Sequence, residues 1–268
     1  MDIPCLLLAL AMTAFPATAT TPTRTGGPHP VLAERFTTLD LGPGRLWGWQ
    51  STAYSRCTDN DDNPDSWKLD RLTPDALSTA RGYLTITATA HPDGHWDTGL
   101  LTTGESCGTG GDGTLVRTGD LMVAHVLLPH ADTGTWAGLW TWRDGHNEVD
   151  VFEWHADHPD TLEFVNHVRS GNAYYTDASV GAGEWLYIGT HFGADNTTWY
   201  VGPTLDHLTP VFADHTGVGA DFAAYPILNL SISNGRGYHP APATPTPATL
   251  SVDHLLIEHP APDELPHP

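Results

Sequence analysis

Positive charge is what this sequence has least of. Lys68 is its only lysine, and lysine plus arginine number 11 against 32 aspartates and glutamates. The formal net charge is −21 over 268 residues. Nucleic acid and anionic membranes both need basic patches, so neither is expected as a partner. A strongly sulfated polysaccharide is disfavoured on the same ground unless arginines cluster locally, whereas a neutral polymer meets no such barrier. Cysteine is scarce as well: Cys5, Cys57 and Cys107 are all there is, and none sits in a ligand-spaced motif. Beyond the first twenty residues no apolar run approaches membrane-spanning length. Repeats, heptads and long helical patterns are missing. The glycine-rich stretch Gly104 to Gly113 lacks a Lys-Ser/Thr pair and a following helix, which excludes a phosphate cradle.

The one early apolar run, Cys5 to Phe15, is followed by Ala17-Thr18-Ala19, a small-x-small cleavage pattern. Residues 1–19 therefore read as an export signal, with Asp2 where a basic residue is usual. The expected location is extracellular, and the arginine-rich, lysine-poor usage suggests a bacterial source. Cleavage would remove Cys5. In an exported chain the remaining Cys57 and Cys107 are expected to pair, the alternative being two free thiols. Closing that loop is worth about 4 kcal/mol on the chain-entropy model. Residues 20–30 and 260–268 read as tails, and 31–259 as one domain expected to act as a monomer.

What is abundant is tryptophan (10), glycine (27) and proline (22), the composition of a loop-rich β protein. Tyr83 to Ala90 alternates cleanly as a strand. Phe36–Leu41 reads as the first strand, with others at Gly99–Thr103, Thr118–Leu128, Thr161–Val168 and Leu250–Ile257. Thr73-Pro74-Asp75 is a helix-start or turn signal. Trp47-Gly48-Trp49 reads as cleft or core, and core is favoured because buried tryptophans outnumber ligand-binding ones. The acidic stretch Thr58 to Asp65 has an Asp-x-Asp-x pattern that invites calcium, but it lacks the glycine and distal glutamate of an EF-hand loop, which favours a solvated turn. Pro240 to Pro247 reads as a surface loop before the last strand. Short strands with turn residues every ten or so positions fit a sandwich.

The centre of the chain is Asn147-Glu148-Val149-Asp150-Val151-Phe152-Glu153-Trp154. Its valines and aromatics favour a strand. Alternation puts Glu148 and Asp150 on one face and Glu153 on the other. One extra residue at Val151–Phe152, a β-bulge, brings Glu153 round to join them. Adjacent carboxylates repel, so some must hold or share protons at neutral pH. Two carboxyls with different proton affinities are the equipment for glycoside hydrolysis, while a metal site or a solvated acidic strand is the plainer alternative. Trp136, Trp140, Trp142 and Trp154 flank the acids and favour the former, because indole faces pack against sugar C–H faces. His167, on the next strand, is a candidate partner for the acids, or else a surface histidine.

Glu148-Val149-Asp150-Val151-Phe152-Glu153 resembles the active-site signature of glycoside hydrolase family 16 in its β-bulge, laminarinase-type form. Thr135-Trp136-Ala137-Gly138-Leu139-Trp140 is similar to the strand preceding it. Gly183-Glu184-Trp185 through Thr198-Trp199-Tyr200-Val201, Ile227–Ser231 and Leu250–Leu255 follow in the family's order. The resemblance covers about residues 80 to 258, and Val123 and His125 stand where the family commonly has Glu and Arg. It implies an all-β jelly-roll sandwich, concanavalin A-like, with two antiparallel sheets and a concave cleft. It also implies a secreted retaining endo-glycosidase acting on β-1,3 or mixed-linkage β-1,3/1,4 glucan. Glu148 would be the nucleophile and Glu153 the acid/base. Asp150 would tune protonation, sharing a proton with Glu148. Trp136 and Trp140 would be sugar platforms, with Trp142, Trp154 and His167 as further substrate contacts. No organic cofactor is implied; a structural calcium near Asp253 is. A galactan hydrolase on agarose- or carrageenan-like polymer and a non-catalytic lectin-like protein are the alternatives.

Overall fold

The computed structural model describes residues 30–268 except 55–56, 58–66, 132, 170, 238, 262–263 and 267–268. The export signal, residues 20–29 and the whole acidic stretch Thr58 to Asp65 lie outside the described residues. The early strands are β1 (Pro30–Glu34), β2 (Asp70–Leu72), β3 (Leu77–Ala80), β4 (Tyr83–Ala90), β5 (Trp96–Thr98), β6 (Leu100–Thr102) and β7 (Val116–Arg117). The central ones are β8 (Leu121–Leu127), β9 (Thr135–Trp142), β10 (Val149–His155), β11 (Thr161–Asn166) and β12 (Gly171–Thr176). The last are β13 (Trp185–Phe192), β14 (Thr197–Gly202), β15 (Thr209–Ala213), β16 (Ala223–Ile232) and β17 (Ala248–Glu258).

They form two sheets. The outer one runs β15-β14-β13-β8-β17-β4-β5-β2, with β1 on β17 and β3 on β4. The inner one runs β12-β11-β10-β9-β16-β6, with β7 on β16. Pairing is antiparallel throughout, apart from the short β2–β5 contact. Period-two patterning explains the stacking. Leu84, Ile86 and Ala88 of β4 point inward and are fully buried, while Thr85 and Thr87 between them are half-buried. They meet Ala137, Leu139, Phe152 and Trp154 of the inner sheet in one continuous core.

Two expectations need correction at the N-terminal end. Phe36–Leu41 is not a strand: Phe36 takes a left-handed φ of 49° and packs its buried ring on Trp47 at 6.3 Å. The first strand is instead β1, whose Pro30 was read as tail and which pairs with β17. Trp47 is core, as its pattern suggested. Thr73 caps a short 3-10 turn at Pro74–Ala76 through its side chain. Cys57 and Cys107 are disulfide-bonded, with Cα atoms 5.2 Å apart. In the glycine-rich loop that carries Cys107, Gly110 (φ +143°) lies against the Trp47 and Gly42 carbonyls, leaving no room for a Cβ.

Candidate active site

Strand β10 shows why the acids converge. Val149, Val151, Phe152 and Trp154 all enter the core. Two consecutive core residues, Val151 and Phe152, break the alternation. The register slips there against both neighbours, between Asp150 and Phe152 on the β9 side and between Asp150 and Glu153 on the β11 side. That bulge leaves Asp150, Glu153 and His155 on the cleft face, with Glu148 just ahead of the strand. Val149 N–H donates to Thr141 Oγ1 at 3.0 Å, and His167 N–H donates to the Glu148 carbonyl at 3.1 Å. Both contacts fix the entry into the strand. On the core side, Trp199 of β14 donates its indole N–H to the Asp150 carbonyl at 2.8 Å. The backbone oxygen at the bulge thus finds its partner in the opposite sheet.

The cleft has a volume of about 960 Å³. That is the top of the range for small-molecule sites, as an extended ligand requires. On β11 the odd positions Thr161, Glu163 and Val165 line it, followed by His167, while Leu162 and Phe164 are core. Asn166 points away and bonds Asp214 at 2.7 Å.

Charge in the cleft is paired closely. Asp150 is 3% exposed, and its Oδ2 lies 3.2 Å from His167 Nε2; Glu148 Oε1 lies 3.9 Å from the same nitrogen. The Asp150 hydrogen bond lifts the His167 ring to about 9 against the effect of burial, so it is an imidazolium at neutral pH. Burial, then repulsion from Asp150, pushes Glu148 up to about 7, while His167 and Lys68 pull it down. Burial raises Asp150 too, offset by His167. Glu153 is raised well above the usual carboxyl range by burial, then by Asp150 and Glu163. It accepts from Trp136 Nε1 at 2.7 Å. One carboxyl is therefore poised as an acid, and another sits at the edge of ionisation beside a cation.

Of the expected aromatic contacts, Trp136 and Trp140 line the cleft. Trp140 donates to Asn229 Oδ1 at 2.8 Å. Trp154 does not line it: it is 0% exposed, and its indole donates to the Pro159 carbonyl. The bulge puts it on the core face, so it cannot meet a sugar. Trp142 backs Trp140 edge-on at 6.2 Å and donates to Thr52, outside the cleft lining. His167 is the partner of the acids.

Several cleft residues escaped the sequence reading. Lys68 stands 4.7 Å over the Trp136 ring and 4.8 Å over Tyr54. Being the only lysine was its one available signal. Asn229 donates to Tyr54 Oη at 3.2 Å and to Ser231 Oγ at 2.7 Å. His155 shares a face with Glu153 by simple alternation and was overlooked. Nothing local announces His239, which stacks on His155 at 3.5 Å. Glu163 and the 66%-exposed Tyr174 form the far wall.

Three groupings bring metal-type donors together: Glu148–Asp150–His167, His155–Asp157–His239 and Glu153–His155–Glu163. The His155 and His239 planes lie 9° apart, so no ion can sit in both ring planes. In the other two groupings a cation would have to displace the proton held on His167 or on Glu153. Asp253, the expected calcium residue, pairs with His125 Nδ1 at 2.8 Å and belongs to none of these groups among the described residues.

Fold and cleft together define a concanavalin A-like β-sandwich with carboxylates on the floor of its concave sheet. Solved structures share that fold. The endo-β-1,3-glucanase from Pyrococcus furiosus superposes with a TM-score of 0.65 at 18% identity, covering 87% of this chain and 95% of that one. The catalytic domain of a laminarinase from Thermotoga petrophila gives 0.65 at 14%, covering 88% and 99%. A non-specific endo-β-1,3(4)-glucanase from glycoside hydrolase family 16 gives 0.64 at 19%, covering 88% and 96%. No protein-family model and no curated protein matches the sequence.

Proposed function

We propose that this protein is a glycoside hydrolase of family 16 that cuts β-1,3-linked or mixed-linkage β-glucan internally, with retention of configuration. The observation that carries the reading is the bulge at Val151–Phe152, which gathers Glu148, Asp150 and Glu153 on the floor of a tryptophan-lined cleft. The fold shared with endo-glucanases supports it. Glu153, held protonated, gives its proton to the leaving glycosidic oxygen. Glu148 attacks the anomeric carbon and forms a glycosyl-enzyme. Glu153, now a base, takes a proton from the water that releases it. The His167 imidazolium favours the ionised form of Glu148, against the repulsion from Asp150. Trp136 and Trp140 give the sugar rings an apolar floor. The export pattern at residues 1–19 supports action outside the cell, where such polymers occur.

The test is reducing-sugar release from laminarin, mixed-linkage glucan, agarose and carrageenan, by the wild type and by Glu148→Gln. The expected result is release from laminarin by the wild type. Glu148→Gln should lose at least about 10³-fold in kcat while still binding the polymer. Release from a galactan alone would overturn the substrate. Binding without release from any polymer would make the protein a lectin.

A further inference from the structure

Strand β11 brings a fourth carboxylate into the cleft. Glu163 is the Cα partner of Glu153 in the β10–β11 register. A carboxyl oxygen of each, with a ring nitrogen of His155, lies within 4.8 Å of the others. Like charges directly opposite one another on neighbouring strands repel. A buried pair of this kind relieves the repulsion by keeping a proton on one member. The surroundings decide which. Glu163 stands on the half-buried wall, where Oε1 accepts from the Asn172 amide at 3.0 Å, and that amide also donates to Tyr174 Oη at 3.0 Å. Glu153 lies deeper, between Trp136 and the bulge, where an ionised carboxylate is harder to solvate.

We propose that Glu163 is a positioning residue: facing Glu153 across the strand pair, it keeps Glu153 in the protonated form that a leaving oxygen needs. The inference rests on the acid role given to Glu153 above. Burial and Asp150 act on Glu153 in the same sense, and Glu163 adds to them. On its own strand, Asp150 is tied to the His167 imidazolium, which offsets part of its field. His155 is neutral, its ring pushed down to about 3 by burial and by His239. Glu148 lies at the far end of the acid row. Lys68 acts in the opposite sense, favouring ionisation. Strands β9 and β16 present Trp136, Gly138 and Asn229, which do not titrate. On β12, Tyr174 is a neutral phenol whose own proton is held more tightly by burial and by Glu163. Glu163, bonded to a neutral amide, keeps its field on Glu153.

The experiment compares wild type, Glu163→Gln and Glu163→Asp. Gln preserves the shape and can still accept from Asn172; Asp preserves the charge. The first readout is the carboxyl carbon of Glu153 in protein labelled with ¹³C at glutamate Cδ, assigned by its loss in Glu153→Gln. The midpoint is expected to fall by about one pH unit or more in Glu163→Gln and to recover most of that in Glu163→Asp. The second is the alkaline limb of kcat against pH, which should move down by the same amount. An unchanged Glu153 midpoint in Glu163→Gln would overturn the inference, whatever its kcat. Because the carbon signal titrates without turnover, a wild type inert on every glucan would defeat the hydrolase reading and leave this measurement decisive for the coupling.

Discussion

In the proposed mechanism Glu148 has to be ionised to attack, yet burial and Asp150 hold its proton on up to about pH 7. His167 works against that, as a cation 3.9 Å from one oxygen and 3.2 Å from Asp150. Removing a neighbouring positive charge makes a carboxylate harder to form, so the Glu148 value rises. In His167→Asn the acidic limb of kcat/KM should move upward from about 7. Activity should fall most at pH 6 and least at pH 8. A limb that stays in place would show that the imidazolium does not serve Glu148. At this scale the sequence was a good guide wherever alternation applied. Glu148, Asp150, Glu153 and His167 are neighbours by strand periodicity plus one bulge. Trp154 failed because the same bulge that turns Glu153 outward leaves Trp154 facing the core. Nearness in sequence to the acids could not show that.

The bulge is the element on which the site depends, and Trp199 is its brace from the other sheet. Its indole N–H is the partner of the Asp150 carbonyl, in a fully buried setting. Trp199→Phe keeps an aromatic ring there but removes that hydrogen bond. Losing a buried hydrogen bond costs about 0.5–1.5 kcal/mol, and the lost ring volume adds to it. The expected outcome is a folded protein of lower denaturation midpoint, with kcat reduced more than KM. Wild-type stability in urea titration would contradict the bracing role. The bulge itself was legible from the spacing Glu-x-Asp-x-x-Glu. Its brace was not, because Trp199 lies 49 residues further on and reaches it only through the packing of β14 behind β10. The misread first strand has a similar cause. The left-handed turn at Phe36 is stabilised by contact with Trp47, which periodicity cannot sense.

For the whole molecule the dominant fact is a net charge of −21 with 11 basic residues. Such a chain repels itself in the folded state, and salt screens that repulsion. Raising NaCl from about 20 mM to about 500 mM should raise the Tm by a few degrees, read by calorimetry. A falling Tm would show that ion pairs such as Arg71 with Asp93 and Asp97 outweigh the self-repulsion. Composition and turn spacing pointed to a β-sandwich, and the family resemblance implied its two antiparallel sheets. They could not order the strands. β17 lies between β8 and β4 because contacts far apart in sequence close the outer sheet. The cleft's second wall, with Lys68, His239 and Tyr174, draws on three separate stretches of chain for the same reason.

The central claim is that Glu148 and Glu153 cleave a β-glucan in two displacements at this bulged strand. Proton NMR during laminarin hydrolysis tests it most directly, by the anomer that appears first. The account predicts the β-anomer as the initial product of the wild type, with the α form arising later by mutarotation, and no early anomer from Glu148→Gln. An α-anomer first, or wild-type product from Glu148→Gln, would contradict it.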